Sequence, residues 1–125
     1  KFDASFVLYI LYSIKAYNLH ASAFSSDKPK IEFYVEGTTY NAIINNGEIV
    51  VSDGIIEDKD IIITMTKEEG IKMLKDKNYI EESFRSGASG IEMVAGKTEL
   101  ASKGYLELYT ELTGKSVTGF VIGDF

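Results

Sequence analysis

Residues 95–98 read AlaGlyLysThr, the end of a phosphate-binding loop, in which a lysine and backbone N–H groups cradle phosphate oxygens. The loop also needs a glycine five residues before its GlyLysThr, and position 91 is Ile91, with Gly90 one place out. Residues 91–95 read as a strand, so no nucleotide is expected there. Asp53, Glu57, Asp58 and Asp60 form an acidic cluster. A calcium loop takes ligands at alternate positions with glycine sixth, whereas here Gly54 comes second and isoleucines fill ligand positions. A solvated turn is expected. His20, Ser22 and Asp27 supply the types of an acyl-transfer triad, but nothing in their spacing orients them. Glu32 and Glu92 alternate with apolar neighbours and are expected to face water. With no cysteine and one histidine, thiolate chemistry, disulfides and multi-histidine metal sites are excluded. The expectation is a protein with no catalytic residues, no metal site and no cofactor.

What remains is hydrophobic shape. The chain has 125 residues, 45% hydrophobic and 26% charged, which suits one folded domain with a real core. A net charge of −6 disfavours nucleic acid as a partner. The acid is concentrated: residues 31–70 carry a net −7. Residues 4–19 have helical apolar spacing behind an Asp3 cap and are too short to span a bilayer, which takes about 20 residues. Residues 20–30 read as a linker. Strand periodicity then begins at Lys30 and runs to Met65, interrupted by turn signals at Gly37–Thr38, Asn46–Gly47 and Asp53–Gly54. A continuous antiparallel meander of four strands is expected over 31–65. Capping boxes at Thr66/Glu69 and Asn78/Glu81 open two short helices, and Gly87 ends the second. A fifth strand covers Gly90–Ala95, and one helix spans Lys97–Thr113 before Gly114. The segment from Ser116 to Phe125 reads as a sixth strand or a docked extension.

The fold class is therefore α+β, with helices on one face of a sheet. The sheet's inner face offers Phe33, Val35, Ile44, Ile63, Met65 and Met93. The helices offer Ile71, Leu74, Ile80, Phe84, Leu100, Tyr105 and Leu108, with Gly104 as an unexplained helix glycine. Each is either ordinary core or the lining of an apolar cavity. The first helix is apolar almost all round, so Phe6, Tyr9, Ile10, Tyr12 and Tyr17 are candidates for an interface.

Three segments carry a resemblance to a known family: residues 60–69, a strand running into a helix; residues 83–87, SerPheArgSerGly; and residues 91–101, a strand, a glycine and a helix start. Over about residues 30–113 the chain resembles the lipid-binding domain of the sterol carrier protein family. That resemblance implies a curved, mainly antiparallel five-stranded sheet covered by helices, with an apolar tunnel between them for a fatty acyl, isoprenoid or sterol-like lipid. It divides the single domain into a helix and linker (1–29), a lipid-binding core (30–113) and a tail (114–125). Lys97, Lys103 and Arg85 are the candidates for selecting a headgroup at the mouth. Ala88–Ser89 reads as a small insertion, and the tail lacks a peroxisomal ending. The leading expectation is non-catalytic binding or transfer of a lipid. The alternative is an assembly or adaptor protein that uses the aromatic first helix for homo-oligomerisation or for docking at a membrane surface. The expected compartment is the cytoplasm. The chain begins at Lys1 with no methionine, which fits either a shortened chain or a mature one that has lost a leader.

Overall fold

The computed structural model describes residues 2–115; the expected sixth strand or docked tail lies outside them. Five strands form one sheet: β1 (Lys30–Val35), β2 (Thr38–Asn45), β3 (Glu48–Asp53), β4 (Ile61–Met65) and β5 (Gly90–Met93). Five helices accompany it: α1 (Ala4–Ser13), α2 (Lys67–Lys75), α3 (Tyr79–Ser86), α4 (Lys97–Lys103) and α5 (Tyr105–Thr113). The expected α+β class holds.

The hairpin between β2 and β3 turns at Asn46 and Gly47, whose φ angles of 51° and 86° are the paired positive values a type I′ turn requires. The meander is nevertheless shorter than the sequence suggests. The strand order is β3-β2-β1-β4-β5, and β4 pairs with β1 in parallel, making the sheet mixed. Residues 54–60 do not form a tight turn; they cross the outer face of the sheet. On the way the Asn41 amide donates to the Gly54 carbonyl at 3.0 Å, the Ile56 N–H donates to Glu32 at 3.3 Å, and Lys59 pairs with Glu32 at 2.6 Å. Glu32, expected in water, is therefore covered, while Glu92 is exposed as expected.

The inner face carries Ile31, Phe33 and Val35 of β1, Ala42 and Ile44 of β2, and Ile61, Ile63 and Met65 of β4, all buried. Against it α1 packs Phe6, Val7, Ile10 and Leu11. Phe6 meets Phe33 edge-on at 6.3 Å, and each fully buried side chain of this kind contributes about 1.5–3 kcal/mol. The Asp3 cap is present, its carboxylate accepting from the Ser5 and Phe6 N–H groups. The first helix ends earlier than the expected span of 4–19, at Ser13; Lys15 takes a left-handed conformation at φ 64° and a 3-10 turn follows over Ala16–Asn18. The expected single helix over 97–113 is two. Gly104, at φ 97°, ends α4 and starts α5, which supplies the reason for a glycine there.

Candidate functional site: a groove between the helices

The termination of α1 and the break at Gly104 leave an opening on the helical side. Ile14, Lys15, Leu108 and Glu111 are shared by two adjoining cavities. The first, about 250 Å³, continues to Ile80 and Leu112 and is rimmed by Lys77, Asn78 and Glu81. The second, about 290 Å³, runs past Leu19 to Gly104 and is rimmed by His20 and Glu107. The lining mixes aliphatic side chains with polar ones and with charges of both signs. The Ser13 hydroxyl donates to the Tyr9 carbonyl at 2.8 Å and is spent on its own helix. The chain is fixed beside the groove by the His20 N–H, which donates to the Lys103 carbonyl at 3.1 Å.

Of the residues expected to line a lipid cavity, Ile80, Gly104 and Leu108 border this groove. Phe33, Val35, Ile44, Ile63, Met65, Phe84, Leu100 and Tyr105 are packed in the core, and Met93 is half-buried beside them. Ile71 and Leu74, expected to point inward, are 46% and 43% exposed. Helix α2 instead buries Glu69, Gly70 and Met73, and a Cβ at Gly70 would lie 2.6 Å from Cε1 of Phe2, so any larger residue there displaces that ring. Of the interface candidates, Phe6 and Ile10 belong to the core. Tyr9 donates to the Met73 carbonyl at 3.4 Å. Tyr12 and Tyr17 remain outside, their rings 5.7 Å apart. No helix among the described residues is long and apolar enough to cross a membrane.

The triad drawn from His20, Ser22 and Asp27 does not form: the Ser22 hydroxyl donates to Glu99 at 3.2 Å, and Nδ1 of His20 lies 3.2 Å from the Ala21 carbonyl. Two buried polar groups escaped the sequence reading. Asp60, grouped there with a solvated turn, is 2% exposed and accepts from Lys103 and from the Tyr105 hydroxyl, each at 2.9 Å. Burial, reinforced by the Asp60 charge, pushes the Tyr105 hydroxyl well above its ordinary range. Lys103 is thus a buried counter-ion and not a headgroup selector. Arg85 donates to the Glu111 carbonyl at 3.3 Å and lies 3.6 Å from Glu81, both residues of the groove lining. The second group is Glu69, which accepts from Tyr79 at 2.6 Å and Ser83 at 2.7 Å. Those two hydrogen bonds hold its carboxyl below the ordinary value and, in return, raise the Tyr79 hydroxyl. One signal for Asp60 and Lys103 was available: Lys103 falls inside the apolar stripe of Leu100, Gly104 and Tyr105, where a lysine needs a partner.

No family model and no curated protein matches the chain. Among solved structures it is similar to a UbiJ-SCP2 ubiquinone synthesis protein, at 14% identity, over 85% of this chain and 88% of that one, with a TM-score of 0.47. It is similar to sterol carrier protein 2 from Yarrowia lipolytica in its apo form, at 17% identity over 90% and 83%, with a TM-score of 0.40. A third is sterol carrier protein 2 like 2 from Aedes aegypti, at 16% identity over 79% and 93%, also with a TM-score of 0.40.

Proposed function

We propose that the protein is a non-catalytic binder of a lipid's apolar chain, seated in the groove between α1, α3 and α5. The observation that carries this reading is the pair of adjoining cavities that share Ile14 and Leu108 and are bordered by charged side chains. Small-molecule sites are mostly apolar clefts with a few polar groups that orient the ligand. Each buried methylene adds about 0.8 kcal/mol, so a chain needs no catalytic group to be held. An extended fatty acyl or isoprenoid chain suits two adjoining compartments. The seat differs from the tunnel implied by the resemblance, because the sheet-facing side chains are already packed against α1.

Titration with a fluorescent fatty acid tests it. Leu108 stands in the wall common to both compartments, and Leu108→Trp is expected to weaken binding about tenfold by excluding one or two methylenes. Ala101→Trp, on an exposed position bordering the second cavity, does the same without touching the core. Wild-type protein that binds no fatty acid, or unchanged affinity in a folded Ala101→Trp variant, overturns the proposal.

A further inference from the structure

A further cavity, of about 430 Å³, adjoins the second compartment of the groove and shares Asn18, Leu19 and His20 with it. It runs between Ser26 and Lys28 of the linker and the β2–β3 turn at Asn45–Gly47. Its described lining holds no carboxylate, on a chain of net charge −6. Asp27 and Glu48 adjoin lining residues in the sequence, but neither lines the cavity. The second compartment differs, because it carries Glu107 and Glu111 beside Lys15. Lys28 is exposed. Among the described residues, the side chains of Lys28, Asn18, Asn45 and Asn46 make no hydrogen bond or ion pair, so one ammonium and three amides stand with their donors unspent.

We propose that this cavity seats the phosphate head of the lipid whose chain lies in the groove, an inference that rests on that reading of the groove. A phosphate monoester carries a charge of about −1.5 to −2 and three strong acceptor oxygens. The Lys28 ammonium supplies the opposite charge, and the three amides supply two N–H donors each. A carboxylate head brings two oxygens to the same donors. A cationic head would meet Lys28 with no acid in the lining to balance it. The residues shared with the second compartment let one molecule occupy both, its chain past Leu108 and its head beyond His20.

Calorimetric titration of the intact chain with decyl phosphate, decanoate, decanol and inorganic phosphate tests the inference. Decyl phosphate is expected to bind about tenfold more tightly than decanol, the effect of one charge-assisted contact. Decanoate is expected to fall between them. Lys28→Gln is expected to remove most of that preference and to leave decanol binding unchanged, and Asn18→Ala to narrow it about threefold. Lys75→Gln, the same change of charge on exposed α2, is expected to alter nothing. Asn18 and Lys28 are exposed, and an unchanged urea midpoint confirms that both variants fold. Decanol and decyl phosphate binding equally removes the head seat and keeps the groove. Decanoate matching decyl phosphate, or a preference undiminished in Lys28→Gln, also overturns the assignment. Failure of every amphiphile to bind removes the groove and the seat together. If inorganic phosphate alone then binds, and Lys28→Gln abolishes that binding, the cavity holds free phosphate and not a lipid head.

Discussion

Asp60 and Glu69 are both buried carboxylates, at 2% and 8% exposure, yet they are satisfied in opposite ways. Asp60 meets a full charge. Lys103 of α4 sits 2.9 Å from one oxygen, while the Tyr105 hydroxyl of α5 and the Lys30 N–H of β1 donate to the other at 2.9 and 2.8 Å. Glu69 meets dipoles. Tyr79 and Ser83 of α3 both donate to one oxygen, and Lys72 approaches the other only to 3.6 Å, with its own side chain half exposed. The first arrangement ties three elements to the start of β4; the second ties α2 to α3. An ion pair out of water owes its stability to its partner being present, because desolvation of each charge has already been incurred. A carboxylate held by hydroxyls loses one modest bond at a time.

The difference sets the largest expected effect. Lys103→Met keeps the length of the side chain and removes its charge, leaving the buried Asp60 charge to the Tyr105 hydroxyl and the Lys30 N–H. Destabilisation of about 3–5 kcal/mol is expected from urea unfolding, the range for breaking a buried pair on one side. Adding Asp60→Asn to Lys103→Met removes the stranded charge and is expected to recover most of the loss. If the single variant unfolds at the wild-type midpoint, the pair contributes nothing and the contrast with Glu69 disappears.

Ser83→Ala tests the other group. Ser83 is fully buried and its hydroxyl lies 2.7 Å from both Glu69 and the Ser89 hydroxyl. Loss of a hydrogen bond to a charged acceptor is expected to cost about 1.5–3 kcal/mol, less than Lys103→Met. The pH dependence carries a second readout. The folded protein holds Glu69 below its ordinary value of 4.5, first through Tyr79 and then through Ser83. The unfolded chain therefore takes up the proton first as pH falls. The stabilisation is complete above 4.5 and is lost as pH descends through the lower folded value. Urea midpoints at about pH 6 and about pH 3.5 are expected to differ less in Ser83→Ala than in wild type. An equal difference in both would place the acid sensitivity elsewhere.

The elements of the fold were largely legible from the sequence because local chemistry dictates them. Asn46–Gly47 favours one kind of turn, and Gly87 and Gly114 stop helices at positive φ. What pairs with what was less legible. Parallel pairing of β4 with β1 depends on where residues 54–60 travel, and no spacing within them records a crossing of the outer face. The rotation of α2 was misread for a related reason. Ile71 and Leu74 make the more hydrophobic stripe, but Glu69 finds the Tyr79 and Ser83 hydroxyls on α3 and Gly70 lets the Phe2 ring approach closely. Two specific contacts outweigh two aliphatic side chains. The candidate groove was legible only at Ile80, Gly104 and Leu108, since the rest of it follows from where α1 stops.

The smallest expected effect separates the two functions of Glu69 within α2. Thr66 caps the helix, its hydroxyl accepting from the Glu69 N–H at 3.2 Å. The sequence suggests a reciprocal box in which the Glu69 side chain returns to the cap, whereas that side chain is used on α3. Half of the box therefore operates, and Thr66→Ala is expected to cost about 1 kcal/mol, the ordinary value of one cap. Thr66→Ser keeps an oxygen in the same place and is expected to be nearly neutral. Because the carboxylate keeps its bonds to Tyr79 and Ser83, the change in stability between about pH 6 and about pH 3.5 should match wild type in Thr66→Ala, unlike in Ser83→Ala. A flattened pH dependence in Thr66→Ala would mean that the cap positions the carboxylate, and that α2 is held through a single coupled unit of Thr66, Glu69 and Ser83.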